Sequence, residues 1–159
     1  MRSVLIVLSM ALVSCSSKPE PSPESTEKNL VSLNNDQKAY LEKAAAEPGA
    51  QKTASGLVYR DITAGSGASP KATDTVKVHY RGTLINGKEF DSSYARNEPA
   101  EFPLNRVIPC WTEGVQKMKV GGKARLVCPS SIAYGEGGAP PDIPGGATLV
   151  FEIELLGIS

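Results

Sequence analysis

From Gly56 onward apolar residues recur at every second position, a spacing that a β-strand converts into one buried face. In Thr75 to Leu84, Val76, Val78 and Tyr80 fall on one side and Lys77, His79 and Arg81 on the other. The C-terminal run repeats the pattern, with Leu149, Phe151, Ile153 and Leu155 against Glu152 and Glu154. Leu57-Val58-Tyr59 begins an earlier strand, and Lys123 to Cys128 forms another. Asn86-Gly87 is a strong hairpin signal, so Lys88-Glu89-Phe90-Asp91 should return antiparallel to the strand before it. Only Trp111 to Met118 breaks the rule. There Trp111, Val115 and Met118 share one side at helical spacing, and Val120-Gly121-Gly122 ends the segment. With 15 Gly and 12 Pro in 159 residues, turns and short strands are favoured over a helical bundle. The expected fold class is α+β, an antiparallel β-sheet enclosing one short α-helix.

The N-terminal third is organised differently. Met1-Arg2, the apolar run Val4 to Val13 and Ser14-Cys15 have the layout of a secretory signal over residues 1–14. About ten apolar residues would cross only half of a bilayer's hydrocarbon core, so a transmembrane helix is not expected there. Leu12-Val13-Ser14-Cys15 resembles the lipobox of bacterial lipoproteins, which implies lipidation of Cys15 and attachment to a membrane. The alternative is a plain signal peptide with an incidental Cys. Ser16, in place of an acidic residue, points to the periplasmic side of the outer membrane over the inner membrane. Residues 15–33 are expected to be a disordered linker, because KPEPSPESTEKN at 18–29 contains no aliphatic or aromatic residue to offset the entropy of ordering. Residues 34–51 hold a short helix, Asp36 to Glu47, capped at Asn34 or Asn35 and stopped by Pro48-Gly49. It is too short for a dimerisation stalk, so a monomer is expected. Residues 52–159 form the domain.

Several functions are excluded early. Seventeen basic residues balance seventeen acidic ones, which argues against nucleic acid as a partner. One His and three Cys are too few for a closed Cys/His metal site. The single His79 is expected on the solvent side of its strand, which leaves no Ser-His-Asp or Cys-His arrangement. Gly65-x-Gly67 lacks a third Gly and a following helix, so it is not a phosphate loop. Glu89 and Asp91 are read as facing opposite sides of their strand and make a poor carboxylate pair. What remains is a concentration of aromatics beside turns: Tyr80, Phe90, Tyr94, Phe102, Trp111, Tyr134 and Phe151. They either pack as plain core or line an apolar pocket with a few polar handles such as Asp91 and the Tyr134 hydroxyl.

VHYRGTL at 78–84, GKEFDSSYARNEP at 87–99, VIPCWTEGVQKMKVGGKARL at 107–126, AYGEGG at 133–138 and ATLVFEIELL at 147–156 together resemble the FKBP-type peptidyl-prolyl cis-trans isomerases. The likeness is strongest to the bacterial, macrophage-infectivity-potentiator-like branch. It covers residues 52–159 with the motifs in family order. The resemblance implies a curved sheet wrapped around one short helix, and an enzyme that accelerates rotation about X-Pro bonds of exported proteins without cofactor or covalent step. A non-catalytic module that binds proline-containing segments, or a chaperone, is the competing reading.

Carried over residue by residue, the resemblance places Trp111 at the floor of the pocket. Tyr80, Phe90, Val107, Ile108 and Phe151 become its walls, with Phe102 beside them. Tyr134 would offer its hydroxyl to a substrate carbonyl, and Ile108 its backbone N–H. Asp91 would sit at the rim, linked to Tyr80 and Arg96. Asp91, Tyr134, Tyr80 and Phe90 are thus the catalytic candidates, and Arg96 joins the substrate-binding set. Proline-containing polypeptides are the implied partners, and the family's macrolide inhibitors the implied ligands. Ala100, Ala139 and Asp142 replace residues that are larger in many relatives, so the slot should be more open on that side. Cys110 and Cys128 are eighteen apart, which excludes a CxxC motif. They would either form a disulfide pinning the pocket floor in an oxidising compartment or remain buried thiols.

Overall fold

The computed structural model describes residues 23–159. The signal-like residues, Cys15 and the first part of the expected linker lie outside the described residues. Seven strands form one antiparallel sheet, taken in chain order: β1 (Ala50–Lys52), β2 (Val58–Thr63), β3 (Thr75–Leu84), β4 (Glu89–Ser92), β5 (Ala100–Pro103), β6 (Lys123–Cys128) and β7 (Leu149–Ile158). Their order across the sheet is β1-β2-β6-β7-β3-β4, with β5 also on β3. Among the described residues three α-helices accompany them, α1 (Pro23–Ala45), the single turn α2 (Ser93–Arg96) and α3 (Pro109–Gln116), with short 3-10 turns at Leu104–Arg106 and Ser130–Ile132.

The two ten-residue strands, β3 and β7, pair along their whole length, from Val76 with Ile158 to Leu84 with Leu149. Their period-two pattern turns Val76, Val78, Tyr80, Phe151, Ile153 and Leu155 toward one core, all 5 % exposed or less. The helix α3 lies against that inner face, with Cys110, Trp111, Gly114 and Val115 buried. It starts two residues earlier than the sequence suggests, because Pro109 fits the first helical turn, where a missing N–H costs nothing. Gly114 sets the distance of closest approach. A Cβ there would lie 2.2 Å from Leu126 Cδ2 on β6, and Leu126 is fully buried. Cys110 in the first turn of α3 is joined to Cys128 at the end of β6 by a disulfide, with Cα atoms 5.9 Å apart.

The short strands β1 and β5 carry too little alternation to be seen in the sequence, and the sheet therefore begins at Ala50. The N-terminal helix also differs from expectation. It reaches back to Pro23, through residues expected to be disordered, and it docks on the sheet. Ala44, with Tyr40, Leu41 and Ala45 beside it, packs on Val58, Val127 and Val150 of the outer face. Gln37 Oε1 accepts the Thr148 N–H at 2.7 Å, and Arg125 donates to the Tyr40 hydroxyl at 2.8 Å. Once that C-terminal half is anchored, each further turn adds hydrogen bonds at low entropic cost, and no proline interrupts residues 24–47. Composition alone missed this anchoring.

The disulfide closes a loop of eighteen residues between the pocket helix and the sheet. Replacing both partners (C110A/C128A) should lower stability by about 3 kcal/mol, the chain-entropy value for a loop of that size. Urea denaturation with and without reductant checks it: reductant should shift the native protein and leave the double variant unmoved.

Candidate active site

The inner face of the sheet and α3 leave a cavity of about 380 Å³ open at one end of the core. Trp111 is only 4 % exposed, yet it lines this cavity, so the indole presents one side to the opening and buries the rest. Its ring meets three neighbours edge to face: Tyr80 at 5.2 Å, Phe151 at 5.3 Å and Phe102 at 5.5 Å between centroids. Such pairs each contribute about 0.5–1.5 kcal/mol beyond the area they bury. Phe90 stands perpendicular to Phe151 at 5.6 Å and completes the wall. Val107 and Ile108, at the entry to α3, close the other side.

Gly82 makes this aromatic wall possible. A Cβ at that position would fall 2.5 Å from Phe90 Cζ and 2.9 Å from Phe151 Cε1. An isolated Gly within an alternating strand is the sequence signal of such close approach.

The polar groups sit at the rim. Tyr80 donates its hydroxyl hydrogen bond to Asp91 Oδ2, Arg96 Nη1 reaches Asp91 Oδ1 at 2.6 Å, and Arg96 Nη2 donates to the Tyr80 hydroxyl at 3.0 Å. Glu89 instead pairs with Arg81 at 2.6 Å on the outer face. In a regular strand residues two apart share a face, so an irregularity must separate the two carboxylates. It is the bulge at Phe90: Gly82 pairs with Asp91 while the next residue, Thr83, pairs with Glu89. Tyr80, Asp91 and Arg96 thus form a closed triangle. Arg96 does not line the cavity; it holds Asp91 from behind. Tyr134 lines the opening, 42 % exposed, with no hydrogen-bond partner for its hydroxyl among the described residues. No acceptor among the described residues takes the Ile108 N–H either. Ala100, Ala139 and Asp142 do not reach the cavity.

Two further residues escaped the sequence reading. The strands β4 and β5 both pair with β3, but neither covers the stretch between Val78 and Arg81. The fully buried Ser93 fills that gap: its hydroxyl accepts the Tyr80 N–H at 2.8 Å and lies 3.3 Å from the Tyr80 carbonyl. The same oxygen is 3.0 Å from His79 Nδ1, and His79 stacks on Tyr94 at 4.8 Å on the outer face, half-buried and away from the cavity. Ser92 accepts the Ala95 N–H and starts α2. Nothing in a Ser-Ser pair distinguishes such a role in advance. The second residue is Arg106, which lines the cavity mouth beside Val107.

Burial is the largest single influence on Asp91 and would raise its pKa. The hydrogen bonds from Tyr80 and Arg96 and the guanidinium charge outweigh it, and the carboxyl is held below its ordinary value. Burial first, and the bond to Asp91 second, push the Tyr80 hydroxyl upward. Among the described residues no Ser, Thr, Cys, Lys or His side chain lines this cavity: the two domain cysteines are bridged to each other and His79 faces outward. The site can hold an apolar ring, exclude water from it and present one carboxylate, one phenol and one free amide N–H at its edge. A second cleft, about 270 Å³ between α1 and the outer face, has Tyr40, Arg81, Arg125 and Glu152 in its lining and no aromatic floor.

Against known proteins, residues 67–156 match the family model for FKBP-type peptidyl-prolyl cis-trans isomerase. The chain is 54 % identical over 121 residues to the FKBP-type peptidyl-prolyl cis-trans isomerase FkpA of Escherichia coli K12, covering 76 % of this chain and 44 % of that protein. It therefore spans under half the length of that curated relative. The crystal structure of FkpA from E. coli superposes with a TM-score of 0.80 at 49 % identity, covering 86 % of this chain and 63 % of the other. A peptidyl-prolyl cis-trans isomerase structure from Pseudomonas syringae pv. tomato DC3000 gives 0.76 at 39 % identity, over 81 % of this chain and 95 % of the other.

A lowered Asp91 pKa means its ionised, hydrogen-bonded form stabilises the fold above the unfolded value, about 3.9, and that support is lost as pH falls through the folded value. Asp91→Asn lacks this component. The gap between wild type and D91N in urea midpoint should be constant from pH 7 to 5 and close below about pH 4. A gap at pH 3 equal to that at pH 7 would show that the charge contributes nothing.

Proposed function

Because this chain belongs to the FKBP-type peptidyl-prolyl cis-trans isomerase family, we propose that its cavity accelerates rotation about X-Pro bonds in exported polypeptides. The observation that carries the reading is the indole of Trp111 at the floor of an aromatic-walled opening whose polar groups are confined to the rim. Rotation about a peptide bond meets a barrier of about 18–20 kcal/mol, because amide resonance gives the C–N bond partial double-bond character. Without help an X-Pro bond takes on the order of 10–100 s to turn. The planar amide is more polar than the twisted one, so an apolar slot disfavours the starting form more than the transition state. With the pyrrolidine seated on Trp111, the Tyr134 hydroxyl and the Ile108 N–H hold the flanking carbonyls, and bonds that fit only the twisted geometry lower the barrier. Each 1.36 kcal/mol so removed is a tenfold gain in rate. Macrolide inhibitors would occupy the same slot, with no contact from Ala100, Ala139 or Asp142.

The competing reading uses the same slot to hold proline-containing segments without turnover. Asp91→Leu and Tyr134→Phe separate the two. In a protease-coupled assay on an Ala-Pro peptide, kcat/KM should fall about tenfold or more, the equivalent of one lost transition-state hydrogen bond. Peptide affinity should stay within about threefold. If affinity falls in step with turnover, the rim binds and does not catalyse; if the wild type shows no turnover, the binding module is left.

The reading extends to place. The signal-like residues 1–14 and Ser14-Cys15 support lipidation of Cys15, with the isomerase domain held on the periplasmic side of the outer membrane. Fractionation tests it: the native chain should sediment with membranes and carry the added mass of acyl chains, while Cys15→Ser should do neither.

A further inference from the structure

The isomerase reading leaves the sequence around the proline unspecified, and the charges at the cavity mouth bear on it directly. Two of the residues lining the cavity are charged, Asp91 and Arg106. Asp91 is already neutralised by Arg96 at 2.6 Å. Arg106 has no ion pair and no hydrogen bond among the described residues. The rim therefore carries one uncompensated positive charge.

That charge is also held in place. Arg106 ends the short helical turn Leu104–Arg106, immediately before the Val107–Ile108 wall. Leu104 is fully buried, its N–H bonds the Asp74 carbonyl at 3.0 Å, and its own carbonyl accepts the Thr112 hydroxyl at 2.6 Å. The Cα of Arg106 is thus fixed between the buried turn and the start of α3, while its side chain is exposed. A guanidinium so placed offers a planar fork of N–H donors that matches a carboxylate.

We propose that Arg106 is a specificity residue, selecting polypeptides in which an Asp or Glu flanks the isomerised X-Pro bond. The inference rests on the isomerase reading of this cavity and narrows its substrate class. At an exposed rim the attraction is modest. It amounts to a preference of about three- to fivefold for an acidic over a neutral neighbour. A basic neighbour is disfavoured by a similar factor, and salt should erase both.

The test uses peptides identical except for Glu, Gln or Lys, placed two residues before the proline or directly after it. For each, kcat/KM is measured at low and high salt, and the dissociation constant is read from the fluorescence of Trp111, the chain's single tryptophan. Wild type should favour Glu over Lys by about tenfold at one or both positions at low salt, falling toward one at high salt. Arg106→Gln should bring that ratio to about one, and Arg106→Glu should invert it. Because each ratio is taken within one variant, incomplete folding of a variant does not mimic the result. A Glu/Lys ratio unchanged by R106E at both positions overturns the proposal. Absence of turnover in every peptide would instead count against the isomerase reading, and the ratio of dissociation constants would still decide the role of Arg106.

Discussion

The edge-on packing of Trp111 against Tyr80, Phe102 and Phe151 is the contact from which the rest of the site follows. It brings β3, β5, β7 and α3 together, with β3 and β7 drawn in from opposite ends of the domain's sequence. A helix of eight residues has little stability of its own in water. It is kept at its post by burying one large ring, by the Gly114 contact with β6 and by the Cys110–Cys128 bridge. All three attach the same side of the helix to the sheet. The opposite consequence is the cavity: three rings stand nearly perpendicular to the indole, and Trp111 still lines the opening.

Strand β3 then sorts the chemistry by face. Its inner side carries Tyr80 and the space above Gly82; its outer side carries His79 and Arg81, which make contacts of their own with Tyr94 and Glu89. Strict alternation alone would have sent Glu89 and Asp91 the same way. The bulge at Phe90 breaks the alternation once, at the point where a carboxylate must turn inward. The buried Ser93 hydroxyl supplies the Tyr80 backbone with the partner that the missing strand would have provided, so the phenol holding Asp91 does not swing on an unpaired edge.

What was legible in the sequence follows from which physical signals are local. Period-two alternation marked β3, β6 and β7, and Asn86-Gly87 marked the hairpin, because each is written within ten residues. The family resemblance carried the pocket residues, and the structure gathers Tyr80, Phe90, Phe102, Trp111, Tyr134 and Phe151 around one opening. The strands β1 and β5 span three and four residues, too few for a period to emerge. The docking of α1 depends on an apolar strip of Val58, Val127 and Val150 that exists only after three strands have paired. Ser93 and Arg106 were invisible for a similar reason. One matters because of a gap between strands and the other because its neighbours are already paired, and neither condition is a property of a single segment.

The protonation states decide what kind of site this is. A carboxyl kept below its ordinary pKa by a phenol and a guanidinium is ionised throughout the neutral range, so Asp91 has no proton to give to a prolyl nitrogen. Tyr80, pushed upward by burial and by that same carboxylate, is a weaker acid than a free phenol. The two groups that could most naturally begin acid catalysis are therefore each disarmed by the other. Their pairing also means that a neutral amide can enter without breaking an ion pair, because the Asp91 charge is already compensated by Arg96. On the proposed function, such a cavity would bind a shape and a polarity and work against the amide's own resonance, with no proton transferred from Asp91 or Tyr80.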